Sequence, residues 1–238
     1  MYDDAQVAYP EATMLHPVAA NRLLRSAFLW MFIGLVVTTA AAMVVAGSQT
    51  LLFALFENQW LLWGLLISEI SLVVVISAAI NRLSAGTATF LFLLYSAING
   101  ITLSSIFIVY AYTSVIQAFA AAGCLFAAMS IFGYFTQRDL TSWGNLLFIG
   151  LIAVLVSTLI NFLVGSDMFG YVVSVTGILV FLCLTAYDTQ KILHLGASLG
   201  GGDSSTRHKA AIVGALKLYL DFINLLLFLL RLFGRARD

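Results

Sequence analysis

The sequence predicts an all-α polytopic membrane protein, a seven-helix bundle with its last helix central. Three observations carry that expectation. Of the 238 residues, 62% are apolar and 9% are charged, whereas a soluble domain carries about 25% charged side chains. A water-soluble fold of this size cannot hide so much apolar surface, so lipid must wet much of the exterior. The apolar residues fall in continuous runs long enough to cross a bilayer, since ~30 Å of hydrocarbon at 1.5 Å per residue needs about 20 residues. The last run carries a stripe of small and polar residues at helical spacing: Gly214, Lys217, Asp221 and Asn224, continued by Phe228. Such a helix suits the middle of a bundle, where its stripe meets other polar groups.

The candidate spans are roughly 24–46, 59–80, 88–112, 115–135, 145–165, 170–190 and 211–230. A β-barrel would show ~10-residue segments alternating apolar and polar, and these runs do not alternate. Ahead of them, residues 1–22 read as a polar cytoplasmic tail with Asp3, Asp4 and Glu11. No short apolar core with a cleavage site precedes the first run, so the tail is not read as a signal peptide. Residues 23–238 then form one transmembrane domain. Pro10 and Pro17 both lie in the tail, so no span is kinked by proline. Residues 191–210 hold Gly200, Gly201, Gly202, Ser204 and Ser205, which predicts a flexible, hydrated link. Cys124 and Cys183 sit in apolar runs and read as small buried hydrophobes, with no ligand spacing around them.

Basic residues set the orientation. Arg22, Arg25, Arg82, Arg138, Lys191, Arg207 and Lys209 fall at one end of the bundle, and the loops at the other end have none. That end is expected in the cytoplasm, with the N-terminus inside. Arg231, Arg235 and Arg237 break the pattern. Either the last segment spans against the rule or it turns back; its length and the lack of a Gly/Pro reversal favour spanning.

An ionisable side chain within lipid costs roughly 2.5–3.5 kcal/mol on insertion scales. Glu69, Asp188, Lys217 and Asp221 fall within or beside the spans, so each needs a reason. Lys217 and Asp221 stand four apart and can pair on their own helix. Asp188 and Asp221 can instead meet, provided the sixth helix runs a turn or more past residue 190. Two carboxyls in a low-dielectric site cannot both ionise cheaply, so such a pair competes for a proton. Glu69 can face the same interior, with Arg82 reaching back as a counter-charge. Ser96, Asn99, Thr102, Ser105, Ser157, Thr158 and Asn161 read as ordinary interhelical hydrogen bonds.

At these residues the chain resembles a known family. Gly177-Ile178-Leu179-Val180-Phe181 followed by Leu184-Thr185-Ala186-Tyr187-Asp188-Thr189-Gln190-Lys191, and Leu218-Tyr219-Leu220-Asp221-Phe222-Ile223-Asn224-Leu225, are similar to the signatures of the Bax inhibitor-1 family. Leu94-Tyr95-Ser96-Ala97, Ser104-Ser105-Ile106-Phe107 and Arg138-Asp139-Leu140 extend the likeness over nearly everything after the tail. Its bacterial inner-membrane branch is the nearest in character. The resemblance implies seven helices, the last between two groups of three, and a pH-sensitive calcium leak. It implies that Asp188 and Asp221 form the proton-sensing, gating pair, where calcium binds transiently. It also implies a latching arginine near the end of the second helix, a place close to Arg82. Some members lack the aspartates and are linked to a membrane protease.

Three functions are therefore open: a proton-gated calcium leak, a non-conducting regulator of a membrane protease or stress complex, and an intramembrane aspartyl protease. The last rests on the letters Tyr187-Asp188 and Gly202-Asp203, but Asp203 lies in a hydrophilic run. No other enzyme motif is present and no cofactor is implied. With 11 basic and 11 acidic residues, nothing favours nucleic acid. The expected partners are the lipid bilayer, calcium ions and protons.

Overall fold

A computed structural model describes residues 17–200 and 203–235. Most of the polar tail, Gly201, Gly202 and Arg237 lie outside the described residues. The helices are α1 (Pro17–Ala46), α2 (Gln49–Glu57), α3 (Gln59–Ala78), α4 (Ala85–Leu103), α5 (Ile106–Val109), α6 (Tyr112–Phe135), α7 (Gly144–Val164), α8 (Asp167–Leu199) and α9 (Ser204–Phe233). Seven of the described stretches are long and apolar enough to cross a membrane, and no strand occurs among the described residues.

Local chemistry explains the boundaries. Proline stands at the first position of α1, where its missing N–H costs nothing. The side chains of Ser48, Asn58, Ser84, Ser166 and Asp203 accept from backbone N–H groups that open α2, α3, α4, α8 and α9. Each satisfies a donor that the helix start leaves without a partner. The predicted third span breaks after Leu103. There the Ser104 hydroxyl bonds Ile101 O at 2.6 Å and the Ser105 hydroxyl bonds Thr102 O at 2.9 Å, local contacts that compete with the helix ladder.

The expected long link at 191–210 is corrected. Residues 191–199 continue α8, and α9 begins at Ser204. α8 ends at Gly200, whose φ of +49° is a conformation that suits glycine. The last segment does not turn back. α9 is continuous over 30 residues, about 45 Å at 1.5 Å per residue. Beyond it, Arg235 O accepts from Ala111 N at 3.0 Å and Arg235 N donates to Ser114 Oγ at 3.1 Å. These bonds fasten the end of α9 to the start of α6, at the end of the bundle opposite the start of α1.

Burial is uneven. Within the apolar window of each span, 72% of α9 is buried, against 6% of α3 and 11% of the α7 span. α9 packs on α1, α4, α6 and α8, while α3 lies outside on α4 and α7 outside on α8. Cys124 is exposed and Cys183 half-buried, which corrects the expectation that both are buried. An apolar run does not distinguish a lipid-facing position from a core one.

Close backbone approach at glycine sets two of the helix crossings. A Cβ on Gly100 would collide with the backbone of Thr38 in α1, and one on Gly133 with the backbone of Ala186 in α8. Small residues at such crossings let helices reach packing distance in lipid. Gly100→Val and Gly133→Val are each expected to destabilise the protein by about 1–3 kcal/mol, the usual cost of overpacking. Thermal unfolding in detergent reads the loss; unchanged midpoints would show that these crossings are loose.

Candidate functional site

α8 and α9 run antiparallel in a register fixed by three contacts. Gly177 lies against the Phe228 ring, the Asp188 carboxylate faces the Lys217 ammonium, and Ile192 lies against Gly214. Asp188 Oδ1 is 3.8 Å from Lys217 Nζ. Asp221 follows Lys217 by one turn, ~6 Å along the axis, so it sits about a turn deeper than Asp188 from the α8–α9 link. Both aspartates are buried, at 8% and 5% exposure. They are near enough for their charges to repel, and Lys217 attracts both.

The extension of α8 past residue 190 supplies the rail that this meeting requires. Lys217, however, pairs across to α8 rather than with Asp221 on its own helix. Side chains on a helix lean toward its N-terminus, so Lys217 leans away from Asp221. The order lysine then acid at this spacing is also the weaker one.

Asp221 is the less satisfied of the two. Its Oδ2 is buried and meets no donor. On α8, the hydroxyls of Thr185 and Thr189, which flank Asp188 in the sequence, spend their protons on Phe181 O and Thr185 O of their own helix, at 2.8 and 2.7 Å. Lys217 neutralises one carboxylate. A second ionised carboxylate beside it would be a buried, uncompensated charge, which is costly.

Glu69 belongs to a different place. Its carboxylate accepts from the Thr102 hydroxyl at 2.6 Å and the Asn99 amide at 3.2 Å. Asn99 Oδ1 in turn accepts from the Tyr219 hydroxyl at 2.9 Å, and Thr38 Oγ1 lies 2.6 Å from that same hydroxyl. This chain ties α3 to α4, α9 and α1. Arg82 does not reach back to Glu69. It is exposed in the turn after α3, and the two stand 13 residues apart in the sequence, roughly 20 Å at helical rise. Among the described residues no ion pair involves either. Asn224 turns its amide to Leu220 O of its own helix, at 2.8 Å, and does not join the aspartates.

The sequence reading missed Tyr219 and Thr38. The available signal was a tyrosine hydroxyl in a segment otherwise lined with Leu, Ile and Phe, because a buried phenol needs a partner.

The family model described as "Inhibitor of apoptosis-promoting Bax1" matches residues 20–238. This chain belongs to the Bax inhibitor-1 family. It is similar to the inner membrane protein YbhL of Escherichia coli strain K12, 48% identical over 208 residues, covering 87% of this chain and 89% of that one. An uncharacterised protein of Borreliella burgdorferi is 39% identical over 92% of this chain and 94% of its own. An uncharacterised membrane protein of Streptococcus pyogenes serotype M1 is 41% identical over 86% and 88%.

In this Bax inhibitor-1 family chain the remaining motifs have structural work. Arg138-Asp139-Leu140 forms the turn between α6 and α7, held by Gln190 of α8. The Gln190 amide donates to Arg138 O at 2.9 Å, and its oxygen accepts from Leu140 N at 2.8 Å. Asp139 accepts from the hydroxyl and the backbone N–H of Thr141. Those bonds hold its carboxyl below the ordinary range. Asp203 accepts from Ser205 N and Thr206 N as the cap of α9, a structural use that accounts for it without protease chemistry.

Proposed function

We propose that the protein is a pH-sensitive calcium leak channel of the bacterial inner membrane, with its N-terminus in the cytoplasm and Asp188 and Asp221 as the gating pair. The observation that carries this reading is the buried Asp221 Oδ2, without a donor, beside the Asp188–Lys217 ion pair. Charge counting gives the switch. With one proton on the pair, Lys217 balances the remaining carboxylate and α8 and α9 stay latched. Loss of that proton leaves one surplus negative charge and repulsion between the two helices. Gain of a second proton removes the partner of Lys217. Proton occupancy therefore biases the packing of α8 against α9, the central contact of the bundle.

Two carboxylates fall well short of the six to eight oxygens that calcium takes in a resident site. Among the described residues no cluster of three or more metal-ligating side chains forms. The arrangement suits transient contact with a passing cation. The basic end of the bundle, with Arg22, Arg25, Arg82, Arg138 and Lys191, supports the cytoplasmic placement. YbhL of Escherichia coli, named an inner membrane protein, supports the compartment.

Calcium flux into liposomes holding the purified protein tests the proposal. The wild type is expected to conduct and to change its flux with pH. Asp188→Asn and Asp221→Asn are each expected to flatten that pH dependence. Unchanged flux and pH response in both variants, or a flux-silent wild type, would overturn the leak and leave a non-conducting regulator of a protease or stress complex.

A further inference from the structure

Ser174, Gly177, Phe181, Thr185, Asp188 and Ile192 form one stripe of α8 at helical spacing, and all six are buried. Contacts fix its direction at four of them. Ile192 meets Gly214, Asp188 meets Lys217, and Gly177 and Phe181 both meet Phe228. The stripe therefore faces α9, and Thr185 and Ser174 continue it. The Thr185 hydroxyl donates to Phe181 O and the Ser174 hydroxyl to Gly170 O, each at 2.8 Å. Both protons are spent within α8, so what each hydroxyl offers sideways is oxygen lone pairs. With the Asp188 carboxylate they make a line of oxygens, the ligand type that hard cations take. From Asp188 to Ser174 this line runs ~21 Å along the helix, most of the ~30 Å hydrocarbon core.

One layer breaks the line. Between Thr185 and Ser174 stand the rings of Phe181 and Phe228, with centroids 5.9 Å apart and planes inclined by 31°. Phe181 is 2% exposed and Phe228 8%. The Phe228 ring fills the notch at Gly177, where a Cβ would come within 2.8 Å of three ring carbons. Phe228 follows Asp221 by seven residues on the same face of α9, two turns and ~10 Å further from the basic end. Both aspartates thus lie on one side of the aromatic layer and Ser174 on the other. A narrow apolar constriction bars ions by staying dry. A cation held at this layer would give up its water and gain no oxygen in return, which is costly.

We propose that Phe228, seated in the Gly177 notch against Phe181, is the hydrophobic gate of the α8–α9 seam, closing it to cations two turns beyond Asp221. This inference rests on the leak reading above. There, Asp188 and Asp221 set the force between α8 and α9. Phe228 is the barrier that this force moves: when the helices part, its ring leaves the notch and the oxygens of Thr185 and Ser174 become continuous.

Calcium flux into liposomes, read at the pH where the wild type conducts least, tests the gate with Phe228→Asn and Phe228→Leu. Both replacements remove the ring, but only asparagine holds water in the seam. Phe228→Asn is expected to raise the flux about tenfold, the effect of ~1.36 kcal/mol off a barrier, and Phe228→Leu to fall well short of that. The infrared band of the protonated carboxyl should titrate in both variants as it does in the wild type, because the barrier does not hold the proton. Gly177→Ala adds one carbon, displaces the ring from its notch and is expected to leak as well, so the test stands even where Phe228→Asn does not fold. Equal rises in Phe228→Leu and Phe228→Asn would mean loosened packing rather than a dry barrier and would overturn the gate. So would a conducting wild type whose flux all three variants match, with the leak itself left standing. A moved carboxyl band with unchanged flux would make Phe228 a support for the aspartates and overturn the gate. A wild type that is silent at every pH would overturn the leak, and the gate with it.

Discussion

Lys217→Met is expected to move the pH response of calcium flux to more alkaline pH by about one to three units. Lys217 faces Asp188 at 3.8 Å and also attracts Asp221. At that distance a unit charge pair is worth ~4 kcal/mol at an effective dielectric of 20 and ~1 kcal/mol in water. The lysine side chain is 41% exposed, so solvent screening pulls the value toward the lower end. One pH unit corresponds to 1.36 kcal/mol. Without the cation, ionising either aspartate is harder, and the pair keeps its proton to higher pH. A flux titration of the variant beside the wild type reads the shift. A response that stays in place, or moves to acid, would show that Lys217 is not the counter-charge.

Tyr219→Ala is expected to cost about 3–5 kcal/mol, the range for deleting a buried aromatic side chain. Tyr219 is fully buried in α9, with its ring edge-on to Phe92 and Tyr95 and its hydroxyl between Asn99 and Thr38. Tyr219→Phe keeps the ring contacts and removes only the hydroxyl. Asn99 Oδ1 then loses its donor, at a cost of roughly 1–3 kcal/mol. Thermal unfolding in detergent separates the two variants. Equal losses would mean that the hydroxyl carries the whole effect; no loss in Tyr219→Phe would mean that the chain from Glu69 to Thr38 adds nothing.

The fold was legible because lipid as solvent imposes a length on every crossing, and each apolar run displayed it. Details within the runs were less legible for local reasons. The hydroxyls of Ser104 and Ser105 end α4 inside an apolar stretch that reads as one helix. Residues 191–199 look hydrated, yet α8 simply continues beyond the membrane thickness as helix. At the site, the residue types named Asp188, Asp221 and Lys217, since each is expensive in lipid. Which carboxylate takes the lysine depends on the antiparallel register and on the lean of helical side chains, and neither is written in the spacing along one helix. Glu69 was visible as an oddity, but its partners on α4 follow from α3 lying outside α4, a packing choice that the α3 sequence does not display.

Infrared difference spectroscopy across a pH titration tests most directly whether Asp188 and Asp221 hold a single proton between them. Reconstituted wild-type protein is expected to show a protonated carboxyl band that vanishes on alkalinisation. That band should survive Glu69→Gln and be lost or displaced in Asp221→Asn and Asp188→Asn. A band removed by Glu69→Gln alone, or no protonated carboxyl at any pH where the protein stays folded, would contradict the switch.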